Sequence, residues 1–150
     1  MLEFKQFLFE QTKEQEDNIK KTLSKLPKKH SDLIKTYKIK WQCDNVLIGD
    51  DGHVGIVNPM AKTITISAPY KYPREFTFLH ELAHLVWEAF VAPFPKLVEK
   101  WEGIVKNTKN KMNQNAEELF CHAYANTYSS NKIVIHNHPE WEKFVKGLNI

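Results

Sequence analysis

Between Pro73 and Pro93 lies a stretch, Glu75 to Phe90, with no proline, no glycine and few β-branched residues. It reads as one long helix. Within it stands His80-Glu81-Leu82-Ala83-His84, the pattern H-E-x-x-H. Four helical residues at ~100° each make ~400°, so the two imidazoles sit one turn apart and ~40° round the cylinder, where both can reach one metal ion. Glu81 projects ~100° from His80, too far round for a comfortable ligand but suited to act as a base on a water beside the ion. A helical plot puts Thr77, His80, His84, Trp87 and Val91 on one side and Phe78, Leu82, Leu85 and Ala89 on the other. Both sides are largely apolar, which predicts a buried helix whose polar groups need partners. The bland alternative is a pair of core histidines hydrogen-bonded to backbone or carboxylates.

A metal centre needs more than two protein ligands. Downstream donors are Glu117, Glu118, Cys121 and His122 on a further predicted helix, with His136 and His138 beyond it. Glu118 is the favoured third ligand, and Glu117 and His122 are alternatives. Ala116, Leu119, Phe120, Ala123 and Thr127 form the core-facing stripe, with the two glutamates flanking it on different sides. Asn115-Ala116-Glu117-Glu118 is also a capping-box sequence, which would occupy Glu118 at the helix start instead. A Cys121 thiolate suits structural zinc, and its default role is that of a small buried apolar group.

The rest of the chain supplies a frame for that helix. At 150 residues it is long enough for one domain, residues 1–150, and too short for two catalytic ones. Phe4, Phe7, Leu8, Ile19, Leu23 and Leu26 recur at loosely helical intervals over residues 2–24, up to a break at Pro27. Tyr37, Ile39 and Trp41 alternate with lysines in a predicted strand over Leu33 to Trp41. Asp50-Asp51-Gly52 is turn chemistry, followed by a short Val54 to Val57 run and a second break at Asn58-Pro59. Thr63 to Ala68 is strongly β-branched, with Ile64 and Ile66 on one face. Further helices are predicted over Pro95 to Val105, Ala116 to Tyr128 and from Pro139 onward, with a polar loop over Asn107 to Asn115 and an apolar run over Ile133 to Ile135. Strands first and helices afterwards predict an α+β fold, a short antiparallel or mixed sheet packed against the H-E-x-x-H helix and further helices.

A net charge of +3 with acids and bases interleaved does not point to nucleic acid as the main partner. The two cysteines, Cys43 and Cys121, and the charged start of the chain suggest a reducing cytoplasm. No apolar run is long enough to span a membrane. His30, His53, His136 and His138 read as surface or loop residues, and Lys20-Lys21 and Lys28-Lys29 as solvated faces.

Phe76-Thr77-Phe78-Leu79-His80-Glu81-Leu82-Ala83-His84-Leu85 resembles the Phe-Thr-x-x-His-Glu-Leu-Gly-His-x signature of the ImmA/IrrE-like zinc metallopeptidases. These are compact gluzincin-type domains common in bacteria, phages and mobile elements. Gly55 to Asn58 and Thr63 to Ser67 stand where that family has two strands. Glu118-Leu119-Phe120-Cys121-His122-Ala123 is similar to its Glu-Ala-x-x-Phe-Ala element, matching at Glu118 and Ala123 and departing at Leu119 and His122. The likeness spans roughly residues 52–128 and is specific around the motif. It implies a zincin-like domain with zinc held by His80, His84 and Glu118. It also implies proteolysis of a regulatory protein such as a transcriptional repressor.

On this reading Glu81 is the catalytic general base on a zinc-activated water, and passes its proton to the leaving amine. Tyr124, Tyr128, His122 and His136 are the candidate oxyanion donors. An extended protein or peptide substrate is expected to pair with an exposed sheet edge, Thr63 to Ala68. A second reading keeps the fold as a protein-interaction module, with zinc structural or absent and Trp41, Trp87, Trp101 or Trp141 as interface anchors. A third likens the chain to the Spartan-like H-E-x-x-H group, with His122 as ligand.

Overall fold

A computed structural model describes residues 17–41, 55–66, 74–108, 115–130, 132–133 and 136–148. Residues 2–16 of the helical region expected over 2–24, the turn at 50–52, Val54, the strand end at 67–68, most of the loop over 107–115, residues 134–135, Cys43 and His53 lie outside them. Among the described residues the chain is α+β and mostly helical. In chain order the elements are α1 (17–24), α2 (Lys28–Ser31), a 3₁₀ turn (Asp32–Ile34), β1 (Lys38–Trp41), β2 (Gly55–Asn58) and β3 (Thr63–Ile66). Then come α3 (Arg74–Phe90), α4 (Pro95–Asn107), α5 (Ala116–Tyr128) and α6 (Pro139–Gly147). The predicted strand from Leu33 begins only at Lys38, because Leu33 and Ile34 close a helical turn instead.

The sheet has the order β1-β3-β2. β1 runs parallel to β3, pairing Lys38 with Thr63 and Trp41 with Ile66. β2 runs antiparallel to β3, pairing Gly55 with Ile66 and Asn58 with Thr63. Residues 59–62 close the β2–β3 hairpin. There Asn58 Oδ1 accepts the Ala61 N–H at 3.0 Å, and Lys62 takes a left-handed φ of 53°. The expected alternation holds along β3, with Ile64 and Ile66 fully buried and Thr63 and Thr65 half-buried.

α3 is the spine of the molecule. It packs against β2, β3 and, most extensively, α5, and it buries Phe76, Phe78, Leu79, Leu82, Ala83, Val86 and Trp87. Glu75 in its first turn ties distant elements together. It accepts from Thr22 Oγ1 at 3.1 Å and from the Ser130 backbone N–H, joining α1 to the end of α5. Burial opposes ionisation of that carboxyl, but these hydrogen bonds prevail and hold its pKa below the usual value. The helix stops where Pro93 removes a donor, and Pro95 then starts α4 as its first residue.

The same core extends between α4, α5 and α6. Trp101 is centred on this part, 5.0 Å from Phe144, 5.7 Å from Trp141 and 5.8 Å from Phe120 by ring centroid. Its Nε1 donates to the Ala116 carbonyl at 2.7 Å, fastening α4 to the first turn of α5. Trp87, Trp101 and Trp141 are therefore core residues, which removes them as exposed interface anchors. The side chain of Trp41 lies outside the description. Lys20, Lys21, Lys28 and Lys29 are exposed as expected.

Two histidines read as surface residues are buried instead, His30 and His136, each 1% exposed. His30 falls at helical spacing between Leu26 and Ile34 and fills the space beside Phe90 and Tyr124. His136 stacks on His122 at 4.3 Å with an interplanar angle of 8°. His138 is half-buried, its ring 4.3 Å from Trp141. No helix among the described residues is long and apolar enough to cross a membrane.

Candidate metal centre

The site forms where the middle of α3 meets the first turn of α5. Asn115 caps α5, its side chain accepting the Glu118 N–H at 2.8 Å. Only this half of the capping box forms. The Glu118 carboxylate turns to α3, where Oε2 lies 3.1 Å from His80 Nε2 and Oε1 lies 3.2 Å from His84 Nε2. One carboxylate thus spans both imidazoles of the H-E-x-x-H motif, whose rings are 5.2 Å apart and nearly perpendicular. Glu117, one residue earlier, approaches the other nitrogen of the second ring, with Oε1 3.0 Å from His84 Nδ1.

Consecutive helical residues point ~100° apart, so both can address one imidazole only because its two nitrogens also point apart. Both carboxylates stand in the first turn of α5, where the positive end of the helix dipole favours them.

Burial lowers the pKa of His84, but hydrogen bonds to Glu118 and Glu117 and the charge of Glu81 outweigh it and raise the value to about 9. Without an ion, His84 donates from both nitrogens at neutral pH. Glu118 shows the reciprocal effect. Hydrogen bonds from His80 and His84 hold its carboxyl far below the usual range, against the opposing effect of burial.

Cys121 and His122 follow Glu118 on the same helix and are both buried. Ligand atoms of His80, His84 and Cys121 lie within 4.8 Å of one another, as do those of His80, Glu118 and His122. Burial first, and then the carboxylates of Glu118, Glu117 and Glu81, push the Cys121 thiol well above its usual pKa. The His122 ring centroid is 4.7 Å from that of His80.

A cavity of about 670 Å³ opens over the site. Its wall joins Ile56, Val57 and Pro59 of the hairpin to His80, Glu81, His84, Leu85 and Glu88 of α3 and to Glu117 and Glu118. Glu81 is only 7% exposed yet lines this wall. Neither Cys121 nor His122 lines it.

The donor set fits a metal ion. The Nε2 atoms of His80 and His84 stand 3.1 and 3.2 Å from the two oxygens of one carboxylate, hydrogen-bonded to it in the absence of an ion, and all three groups are donors of the kind that hold a divalent cation. Nitrogen and carboxylate donors of this kind suit zinc among several first-row ions.

Two expectations change. Thr63 to Ile66 is the central strand of the described sheet, because the parallel β1 covers its other side, so β2 takes the place of the edge beside the cavity. The four expected oxyanion donors are absent from the cavity wall. Tyr124 is buried with its hydroxyl 3.0 Å from His30 Nδ1, and Tyr128 packs 5.0 Å from Tyr124. His136 and His122 are stacked together in the interior. The pairing of Glu117 with His84 was beyond sequence reasoning, since it depends on the rotation of α5 against α3. Comparison with protein-family models, with curated proteins and with solved structures finds no match to this chain.

Proposed function

We propose that the chain is a zinc-dependent metallopeptidase in which His80, His84 and Glu118 hold the ion and Glu81 is the general base. The observation that carries this reading is the Glu118 carboxylate spanning both motif imidazoles, with Glu81 beside them on the wall of an open cavity. When bound, zinc supplies Lewis acidity that polarises a peptide carbonyl and brings the pKa of a water toward ~7.

The protein's own residues do the rest. Glu81 takes the proton of the attacking water and delivers it to the leaving amine. Ile56 and Val57 belong to the edge strand of the described sheet and line the cavity, where an extended peptide can add as a further strand and gain main-chain hydrogen bonds. The resemblance over residues 76–85 is what points to a regulatory protein, such as a transcriptional repressor, as the substrate.

The test is zinc content and peptide cleavage measured on wild type and Glu81→Gln. Retained zinc with turnover reduced at least ~100-fold is expected for loss of a general base. Undiminished turnover would remove Glu81 from its role. Stoichiometric zinc with no cleavage of any candidate protein would favour a non-catalytic interaction module.

A further inference from the structure

We infer that Glu117 is the positioning residue of the centre: it fixes the His84 ring so that Nε2 is presented to the ion. This rests on the metal-centre reading above and assigns Glu117 a place beside the ligands rather than among them.

Three observations carry it. First, Glu117 Oε1 lies 3.0 Å from Nδ1 of His84, while Nε2 of the same ring lies 3.2 Å from Glu118. With one nitrogen engaged by each carboxylate, the ring plane and the nitrogen facing the site are both set. Second, the contact that Glu117 makes is with His84. Glu118 reaches both histidines, so the two neighbouring glutamates are not equivalent. Third, the placement of Glu117 is itself fixed, because Asn115 caps the helix and Trp101 Nε1 holds the carbonyl of Ala116, the residue before it.

An imidazole bound to a metal through Nε2 keeps its remaining proton on Nδ1, and a carboxylate accepting that proton orients the ring and makes it a better donor. Removing such a partner weakens metal binding 10–100-fold in general. The Glu117 and His84 side chains are 33% and 22% exposed, so water replaces part of the lost bond and the effect falls at the lower end.

The experiment measures Zn²⁺ affinity by competition with a chromophoric chelator for wild type, Glu117→Ala, Glu117→Gln and His84→Ala. Imidazole proton spectra of the zinc-loaded proteins are recorded alongside. Glu117→Ala is expected to bind about tenfold more weakly. Glu117→Gln, whose amide oxygen still accepts the Nδ1 proton, is expected to stay within about threefold of wild type. A slowly exchanging His84 Nδ1 proton is expected in wild type and Glu117→Gln and is lost in Glu117→Ala.

Unchanged affinity in Glu117→Ala overturns the inference. So does a loss as complete as that of His84→Ala, which would make Glu117 a ligand. Equal weakening by Gln and Ala also overturns it, since charge and not ring orientation would then be what counts. Wild type that takes up no zinc is a different result, and it removes the metal centre itself.

Discussion

On the proposed reading, His84 is the residue on which the chemistry of the site turns. Its neighbours raise its pKa to about 9, so in the metal-free protein it is protonated on both nitrogens at pH 7. Zinc must displace the Nε2 proton, whereas Glu118 is already ionised and has none to lose. Zinc affinity is therefore predicted to rise about tenfold per pH unit between pH 7.5 and 8.5 and to flatten above pH 9. Chelator competition across that range checks it, and a flat profile would contradict it. The same shift acts on the stability of the metal-free fold. A raised histidine stabilises fully below its ordinary value of 6.5, and the contribution is lost as pH rises through about 9. At this scale the sequence was informative where spacing decides. That His80 and His84 stand together on α3 with Glu81 between them on the cavity wall follows from helical spacing. The division of labour between Glu117 and Glu118 does not, because two consecutive residues flank the same stripe and only the docking of α5 chooses between them.

At the level of elements, α3 and α5 begin and end within a residue of their predicted limits, because apolar periodicity and the prolines that bound α3 are local signals. The sheet was less legible. The β-branched run of β3 marks a strand, but nothing in its alternation tells that β1 pairs with it in parallel and makes it central. That order depends on contacts between segments far apart in the chain. The β2–β3 hairpin carries one strained position, Lys62, whose left-handed φ of 53° brings its Cβ against its own backbone. Replacing it with glycine relieves the crowding but adds freedom to the unfolded chain. Lys62→Gly is predicted to raise stability by about 0.5–1 kcal/mol, read from the urea midpoint at constant slope. A decrease would show that the Lys62 side chain contributes more than the strain costs.

Considered whole, the described part of the molecule is built on α3, which packs against a small sheet and against α5, with its aromatic core extending to α4 and α6. Acid sensitivity should arise in the interior. His30 is pushed down to about 4 by burial, against a hydrogen bond to the Leu148 backbone that favours its charge. It remains neutral in the fold while its unfolded counterpart protonates near 6.5. Stability is thus present above pH 6.5 and lost as pH falls toward 4. The loss amounts to about 2 kcal/mol by pH 5. Denaturation at pH 7 and pH 5 should show this loss in wild type relative to a His30→Phe, Tyr124→Phe double variant. Equal pH dependence in both would place the acid sensitivity elsewhere. The central claim is tested most directly by counting metal after exhaustive dialysis against zinc-free buffer. One zinc per chain is predicted in wild type and in Glu81→Gln, with none retained in Glu118→Ala. A wild-type chain without zinc, or a Glu118→Ala variant that keeps it as tightly, would contradict the account.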